Sequence, residues 1–288
     1  MRRRLDAELV RRGLATSRTQ ARELVESGRV RVAGAPSSKV ARMVDASEPV
    51  VVAGEPARFV GRGGEKLEGA LARFGLDLEG ARVLDAGAST GGFTDCALQH
   101  GAVEVMALDV GHGQLHERLR RDPRVVVVER TNLRHVVPGS MGLFDAVVAD
   151  LSFISLTKVM SVLVQSCRPG GWLVLLVKPQ FEAGRTEVSR GRGVISDPAI
   201  WQGALEGVVV SAEAHGAAVA GIAPSPLRGG DGNVEFLLHL HAPSGTADAE
   251  PPNEEPPNEE PPNEVPSATA LAQIDAAVAE VHESAVTP

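Results

Sequence analysis

The sequence predicts an α/β fold: a mostly parallel sheet flanked by helices, closed by an antiparallel strand and preceded by a small α+β unit. Three observations carry this expectation. From residue 81 onward, strand-length apolar runs alternate with helix-patterned segments, the order that builds a parallel sheet. The last two runs, 217–223 and 234–240, are joined by Pro224–Asn233, too short for a helical crossover, so the final strand must run antiparallel to its neighbour. Residues 1–60 carry twelve Arg and Lys against seven Asp and Glu, whereas the whole chain has a net charge of −8, which marks the head as separate.

In the head, Leu5, Leu9, Val10 and Leu14 define one short amphipathic helix. Ser17 is placed to cap a second, running from Arg18 to Ser27 with Ala21, Leu24 and Val25 on its apolar face, and Gly28 ends it. Val30 and Val32 alternate as a strand, and Val50–Val52 form another behind Pro49, where a missing N–H is tolerated. In the body, strands are expected at 82–86, 103–109, 125–129, 145–150 and 172–177, with helices near 92–99, 114–121, 156–167 and 199–214. Residues 251–264 repeat Pro-Pro-Asn-Glu-Glu, and residues 241–288 hold ten acids and no Lys or Arg. That composition prevents core formation, so 243–288 is expected to be a disordered acidic tail with a short helix over Ala268–Val281.

Several classes are excluded on composition. The longest apolar runs, Val125–Val128 and Trp172–Val177, are far below the roughly 20 residues of a membrane span. The basic N-terminus has no apolar h-region behind it, so a cytoplasmic protein without stable membrane association is expected. Cys96 and Cys167 have neither disulfide-framework nor metal-ligand spacing, and His112 and His116 lack the glutamate of a metalloprotease motif; no metal is expected.

The chemistry concentrates in Val83-Leu84-Asp85-Ala86-Gly87-Ala88-Ser89-Thr90-Gly91-Gly92-Phe93-Thr94, a strand, an acid, a glycine-rich turn and a helix start. Such a turn lets the backbone approach a ligand and offers free N–H groups to its anionic end. A dinucleotide fingerprint needs glycine where Ser89 stands, because the pyrophosphate lies against that backbone. S-adenosylmethionine has no pyrophosphate; its carboxylate and ammonium need helix-start amides and an acid such as Asp85. Gly87, Ser89, Gly91, Gly92 and Phe93 then form the cradle, Asp109 at the next strand end meets the ribose hydroxyls, and Asn132 lines the adenine side. A parallel sheet ending in an antiparallel hairpin is the layout of Rossmann-like S-adenosylmethionine-dependent methyltransferases.

Four polar residues fall where strand ends or neighbouring elements place them above that sheet: Lys66, Asp150, Lys178 and Glu235. Methyl transfer to a hydroxyl needs an in-line acceptor and help in losing its proton. Lys178, directly after a six-residue apolar run, is the candidate base, oriented by Asp150, with Lys66 and Glu235 fixing the ribose.

Two resemblances bear on this reading. Leu5-Asp6, Leu9, Gly13-Leu14, Ser17-Arg18, Ala21, Leu24-Val25 and Gly28-x-Val30-x-Val32 resemble the S4 RNA-binding domain, which implies phosphate contacts from Arg4, Arg18 and Lys39. From the head to residue 240, Gly-Gly-x-Lys-Leu, Leu-Asp-Ala-Gly-Ala-Ser-Thr-Gly-Gly-Phe-Thr, Glu-Arg-Thr-Asn, Ala-Asp-Leu-Ser-Phe-Ile-Ser-Leu, Val-Lys-Pro-Gln-Phe-Glu and Gly-Asn-Val-Glu occur in order. They resemble the TlyA family, ribosomal RNA 2′-O-methyltransferases of the FtsJ group. The resemblance implies a catalytic Lys66, Asp150, Lys178 and Glu235, S-adenosylmethionine as donor, and cytidine 2′-hydroxyls of ribosomal subunits as acceptors. It divides the chain into an S4-like domain at 1–60 with a linker near 57–60, an FtsJ-like domain at 61–242, and the tail. Phe59 stands where relatives carry Trp, and Gly61 replaces a common Ser, in the linker that couples RNA binding to cofactor binding in some relatives. The competing readings are a membrane-active haemolysin, a name family members also carry, and a non-catalytic S4-type RNA-binding protein.

Overall fold

A computed structural model describes residues 2–15, 18–54, 57–183, 194–229, 232–244 and 265–286. The chain divides into two compact units, Met1–Gly61 and Arg62–Pro288.

In the first unit, helices α1 (Leu5–Arg11) and α2 (Arg18–Glu26) turn their apolar faces onto two small sheets. One pairs β1 (Arg3–Arg4) with β4 (Met43–Val44); the other has the order β3-β2-β5, formed by Ala35–Pro36, Val30–Val32 and Val50–Val52. Leu5, Leu9, Ala21, Val25, Val30 and Val32 are fully buried and form the core. Gly28 ends α2 at φ +72°, as its position after the apolar pattern predicts. The strands β1, β3 and β4 span two residues each, too short to leave a periodicity in the sequence. Ser17, the expected cap of α2, lies outside the described residues, as does the Pro-Pro-Asn-Glu-Glu repeat.

The second unit is built on one seven-stranded sheet of order β11-β12-β10-β9-β6-β7-β8. Its strands are β6 (Arg82–Ala86), β7 (Glu104–Leu108), β8 (Val125–Val128), β9 (Phe144–Ala149), β10 (Cys167–Val177), β11 (Ala218–Pro224) and β12 (Phe236–His241). Strands β10, β9, β6, β7 and β8 run parallel, and β12 inserts antiparallel to both β10 and β11. The short Pro224–Asn233 connection dictates that reversal, as expected. Because β7 and β8 build outward on one side of β6 while β9 lies on the other, strand order reverses between β6 and β9. A crevice opens at such a point, above the carboxyl ends of the strands.

Helices α3 (Gly63–Phe74), α4 (Gly92–Gln99), α5 (Glu117–Arg120), α6 (Met160–Gln165), α7 (Pro179–Glu182), α8 (Pro198–Ala214) and α9 (Ala268–Val286) complete the unit. Two are shorter than their patterns predict. The 114–121 segment is helical only over α5, because His116 caps it and Asp122 precedes Pro123, which disfavours the helical conformation. The 156–167 segment breaks at Val159 into a 3-10 turn (Leu156–Lys158) and α6, and Cys167 already belongs to β10.

The tail differs more from its expectation. Helix α9 packs on α8 and β11, burying Ala270, Ile274, Ala277 and Val281 in the main core beside Trp201, Leu205 and Ile222. These four recur every three or four residues, so one stripe of an Ala-rich helix faces inward. Arg73 bridges Glu280 at 2.8 Å, and Ser267 N–H donates to Glu213 at 3.1 Å.

Candidate active site

Strand β6 delivers Asp85 and the turn that follows it. Asp85 is fully buried; its Oδ2 accepts from Thr94 Oγ1 at 2.6 Å, and its Oδ1 has no hydrogen-bond partner among the described residues. Burial pushes the Asp85 carboxyl up from its ordinary 3.8 to about 7, against the Thr94 hydrogen bond and with help from the charge of Asp150. An orphaned buried carboxylate oxygen is an attractor for a cationic group.

The turn is held by its own backbone. The Gly87 and Ala88 N–H groups both donate to Leu108 O, at 2.8 and 3.1 Å, and Gly91 N–H donates to Ala88 O at 2.7 Å. Gly87 sits at φ +87°, and a Cβ there would lie 2.8 Å from the Asp150 carbonyl, so only glycine lets the turn lie against the end of β9. Ser89 also takes a left-handed conformation, at φ +48°. Its N–H donates to Asp109 Oδ2 at 2.8 Å while Gly111 N–H takes Oδ1 at 2.6 Å, so Asp109 braces the loop with both oxygens. The four N–H groups opening α4 have no intrahelical acceptor. The first i to i−4 bond of α4 runs from Asp95 N–H to Gly91 O at 2.8 Å, and Gly92 and Phe93 line the cleft.

That cleft, of about 360 Å³, is lined by Gly87–Thr90, Gly92 and Phe93 on one wall and by Lys66, Asp150, Lys178 and Glu235 on the other. Lys178 caps α7 at the end of β10, and its Nζ lies 2.6 Å from Asp150 Oδ1 at the end of β9. Lys66, one turn into α3, lies 2.5 Å from Glu235 Oε2 just before β12. Both lysines and Glu235 are less than one-tenth exposed. Two ion pairs thus line the wall opposite the glycine loop, with their charges balanced. The four residues come from α3, β9, β10 and β12, and the sheet topology alone unites them.

Of the other expected ligand residues, Asp85, Gly91 and Asp109 are not among those that line the cleft; Asp85 is fully buried, and Asp109 reaches the loop through its bond to Ser89. Asn132 is exposed and caps the 3-10 turn Leu133–His135, its Oδ1 accepting from Arg134 N–H at 3.1 Å. His112 pairs with Glu129 at 2.7 Å, and His116 caps α5, so the two histidines do not converge.

Sequence reasoning missed the residues around the mouth of the cleft. Phe153 is 91% exposed at φ +64°, a conformation rare for a bulky residue, and its ring lies 5.2 Å from that of Phe181. Glu182 clasps the same segment, accepting from Ser155 Oγ at 2.5 Å and Leu156 N–H at 2.9 Å. Burial pushes its carboxyl up, against those two bonds. Ser152 Oγ accepts from Lys178 Nζ at 3.0 Å. A phenylalanine between Ser152 and Ile154, in a run of mixed apolar and polar residues, reads as inward-facing, so no pattern in the sequence announces an exposed ring.

In the first unit, Arg4 and Arg18 converge on Asp6, at 3.1 and 2.6 Å. Burial raises the Asp6 carboxyl, but the two guanidiniums outweigh it and hold it at about 2. They line an open hollow of about 690 Å³ with Arg22, and Lys39 is exposed beside Val40 and Ala41 on its rim.

Both units match known families. A family model described as FtsJ-like methyltransferase matches residues 59–242, and one described as S4 domain matches residues 3–50. The 16S/23S rRNA (cytidine-2′-O)-methyltransferase TlyA of Mycobacterium tuberculosis is 50% identical over 82% of this chain and 89% of its own. Hemolysin A of Brachyspira hyodysenteriae is 38% identical over 82% of this chain and 99% of its own. Among solved structures, a hemolysin candidate from Streptococcus thermophilus aligns over 98% of both chains at 37% identity with a TM-score of 0.70.

Proposed function

The chain belongs to the TlyA branch of the FtsJ-like methyltransferases, and from that premise we propose that it methylates ribose 2′-hydroxyls of ribosomal RNA, at cytidine, using S-adenosylmethionine. The observation that carries the proposal is the pairing of Lys178 with Asp150 beside Lys66 and Glu235, facing the Gly87–Phe93 loop across one cleft. Bound there, S-adenosylmethionine supplies a methyl group made electrophilic by its sulfonium.

The residues fit that donor. Its carboxylate suits the opening amides of α4 at Gly92 and Phe93, and its ammonium suits the unpartnered oxygen of Asp85. Asp109 keeps lone pairs for the ribose while bracing the loop, and Asn132 takes the adenine side.

Lys178 Nζ accepts the 2′-hydroxyl proton, held in place by Asp150. Lys66 donates to the acceptor ribose, and Glu235 holds Lys66 in register. Phe153 and Phe181 offer an aromatic face at the mouth of the cleft, suited to an acceptor base lifted out of its stack. Arg4, Arg18 and Lys39 contact the RNA backbone, and the natural workplace is the cytoplasm, where ribosomes are assembled. No described helix is long and apolar enough to cross a membrane.

The test is methyl transfer from labelled S-adenosylmethionine to ribosomal subunits from cells lacking this activity, with nucleoside mass spectrometry of the product. The expected product is 2′-O-methylcytidine, and Lys178→Ala should lower the rate by about a hundredfold or more. Label on a base instead of the ribose, or full activity in Lys178→Ala, defeats the proposal.

A further inference from the structure

Ser152 lies two residues beyond Asp150, exposed on the cleft wall, with no role in the scheme above. Its Oγ accepts a hydrogen bond from Lys178 Nζ at 3.0 Å, while Asp150 Oδ1 takes the same amine at 2.6 Å. A protonated lysine has three N–H donors. A lysine acting as base is neutral, with two N–H groups and one lone pair, and it must aim that lone pair at the proton it removes. With Asp150 as sole acceptor, the second N–H and the lone pair exchange places by rotation about Cε–Nζ. A second acceptor holds both N–H groups and leaves the lone pair one direction.

We propose that Ser152 is a positioning residue for methyl transfer, its hydroxyl oxygen locking the Lys178 amine so that the lone pair meets the 2′-hydroxyl. The inference rests on Lys178 being the base. The proton passes from the 2′-oxygen to Lys178 Nζ as the O–CH3 bond forms and the S–CH3 bond breaks, its electron pair staying on sulfur. Ser152 keeps its own proton throughout.

The surroundings of Ser152 suit a fixed acceptor. Phe153 is pinned at φ +64° against Phe181, and Glu182 clasps Ser155 and Leu156 from α7. Loop and helix are therefore tied at three points, and α7 starts from Lys178 itself.

Single-turnover methylation of ribosomal subunits, at saturating enzyme and donor, tests the inference. Ser152→Ala should lower the rate constant about five- to tenfold, the scale of a misaligned reacting group. Binding of S-adenosylhomocysteine by calorimetry, and of subunits by sedimentation, should stay at wild-type values. Ser152→Thr keeps an oxygen in place and should return the rate to within about twofold of wild type. A wild-type rate in Ser152→Ala, a loss confined to subunit binding, or no rescue by threonine overturns the inference. Lys178→Ala in the same assay separates the two failures: if it stays active, the base assignment itself is wrong.

Discussion

Asp85 and the Lys66–Glu235 pair set the electrostatics of the cleft in opposite ways. Asp85 is buried without a cationic partner among the described residues and holds its proton up to about pH 7. The unfolded chain releases that proton near pH 3.8, so the folded protein binds more protons than the unfolded one between these values. Stability from this group is therefore highest at acid pH and falls as pH rises to about 7. A bound ammonium reverses the preference, so donor binding should expel a proton. We expect calorimetric affinity for S-adenosylhomocysteine to rise with pH from about 5.5 to 7 and then level. Asp85→Asn should bind more weakly and lose the slope; a wild-type slope in that variant would locate the titrating group elsewhere. Lys66 and Glu235 already hold each other, at 2.5 Å and almost out of water. Glu235→Ala leaves a buried ammonium alone and should destabilise the protein by about 3–5 kcal/mol. Lys66→Met with Glu235→Leu removes both charges and should recover most of that loss in urea melts while remaining inactive. If the double variant is as unstable as the single one, lost packing and not an orphaned charge is the cause.

At the scale of elements, the turn after β6 decides whether the cleft exists. Asp150 N–H donates to Ala86 O at 3.1 Å, and Gly87 packs against the Asp150 carbonyl, so the ends of β6 and β9 are one joint. Gly87→Ala puts a Cβ 2.8 Å from that carbonyl at φ +87°. It should cost about 1–3 kcal/mol of stability and lower donor affinity at least about tenfold, read by thermal melts and calorimetry. The glycine, the acid and the strand pattern made the turn itself legible in sequence, because each follows from a local constraint, whereas its contact with the end of β9 did not show there. The antiparallel closure was legible for the same kind of reason: loop length limits topology. What stayed hidden depends on distant packing. The apolar stripe Ala270, Ile274, Ala277 and Val281 follows a Pro- and Glu-rich repeat, and nothing local says that α8 and β11 receive it. Phe153 hides in the opposite sense, an apolar residue that the turn after β9 carries outward. Two-residue strands such as β1 and β4 leave no period to read.

Across the whole molecule, charge is segregated along the chain: a head with an excess of five positive charges and a terminal stretch with ten acids and no basic residue, around a nearly balanced centre. Division of labour follows, because each group that faces the cleft lies in the second unit and the Arg4–Arg18 hollow lies in the first. Asp6 cancels one of the two guanidinium charges, yet it fixes both side chains at 3.1 and 2.6 Å and so presents their free edges together. Guanidiniums arrayed in this way match phosphate oxygens. Each phosphate contact releases condensed counterions, so subunit binding should weaken steeply with added salt. Arg4→Ala with Arg18→Ala should then weaken subunit binding at low salt. The slope of log affinity against log salt concentration should become shallower by about 1.5, the share of two phosphate contacts. Donor affinity should not change, since no residue of the cradle lies in the head. A variant that loses donor binding in parallel would show that the two units act as one, and an unchanged salt slope would move the RNA contacts away from Arg4 and Arg18.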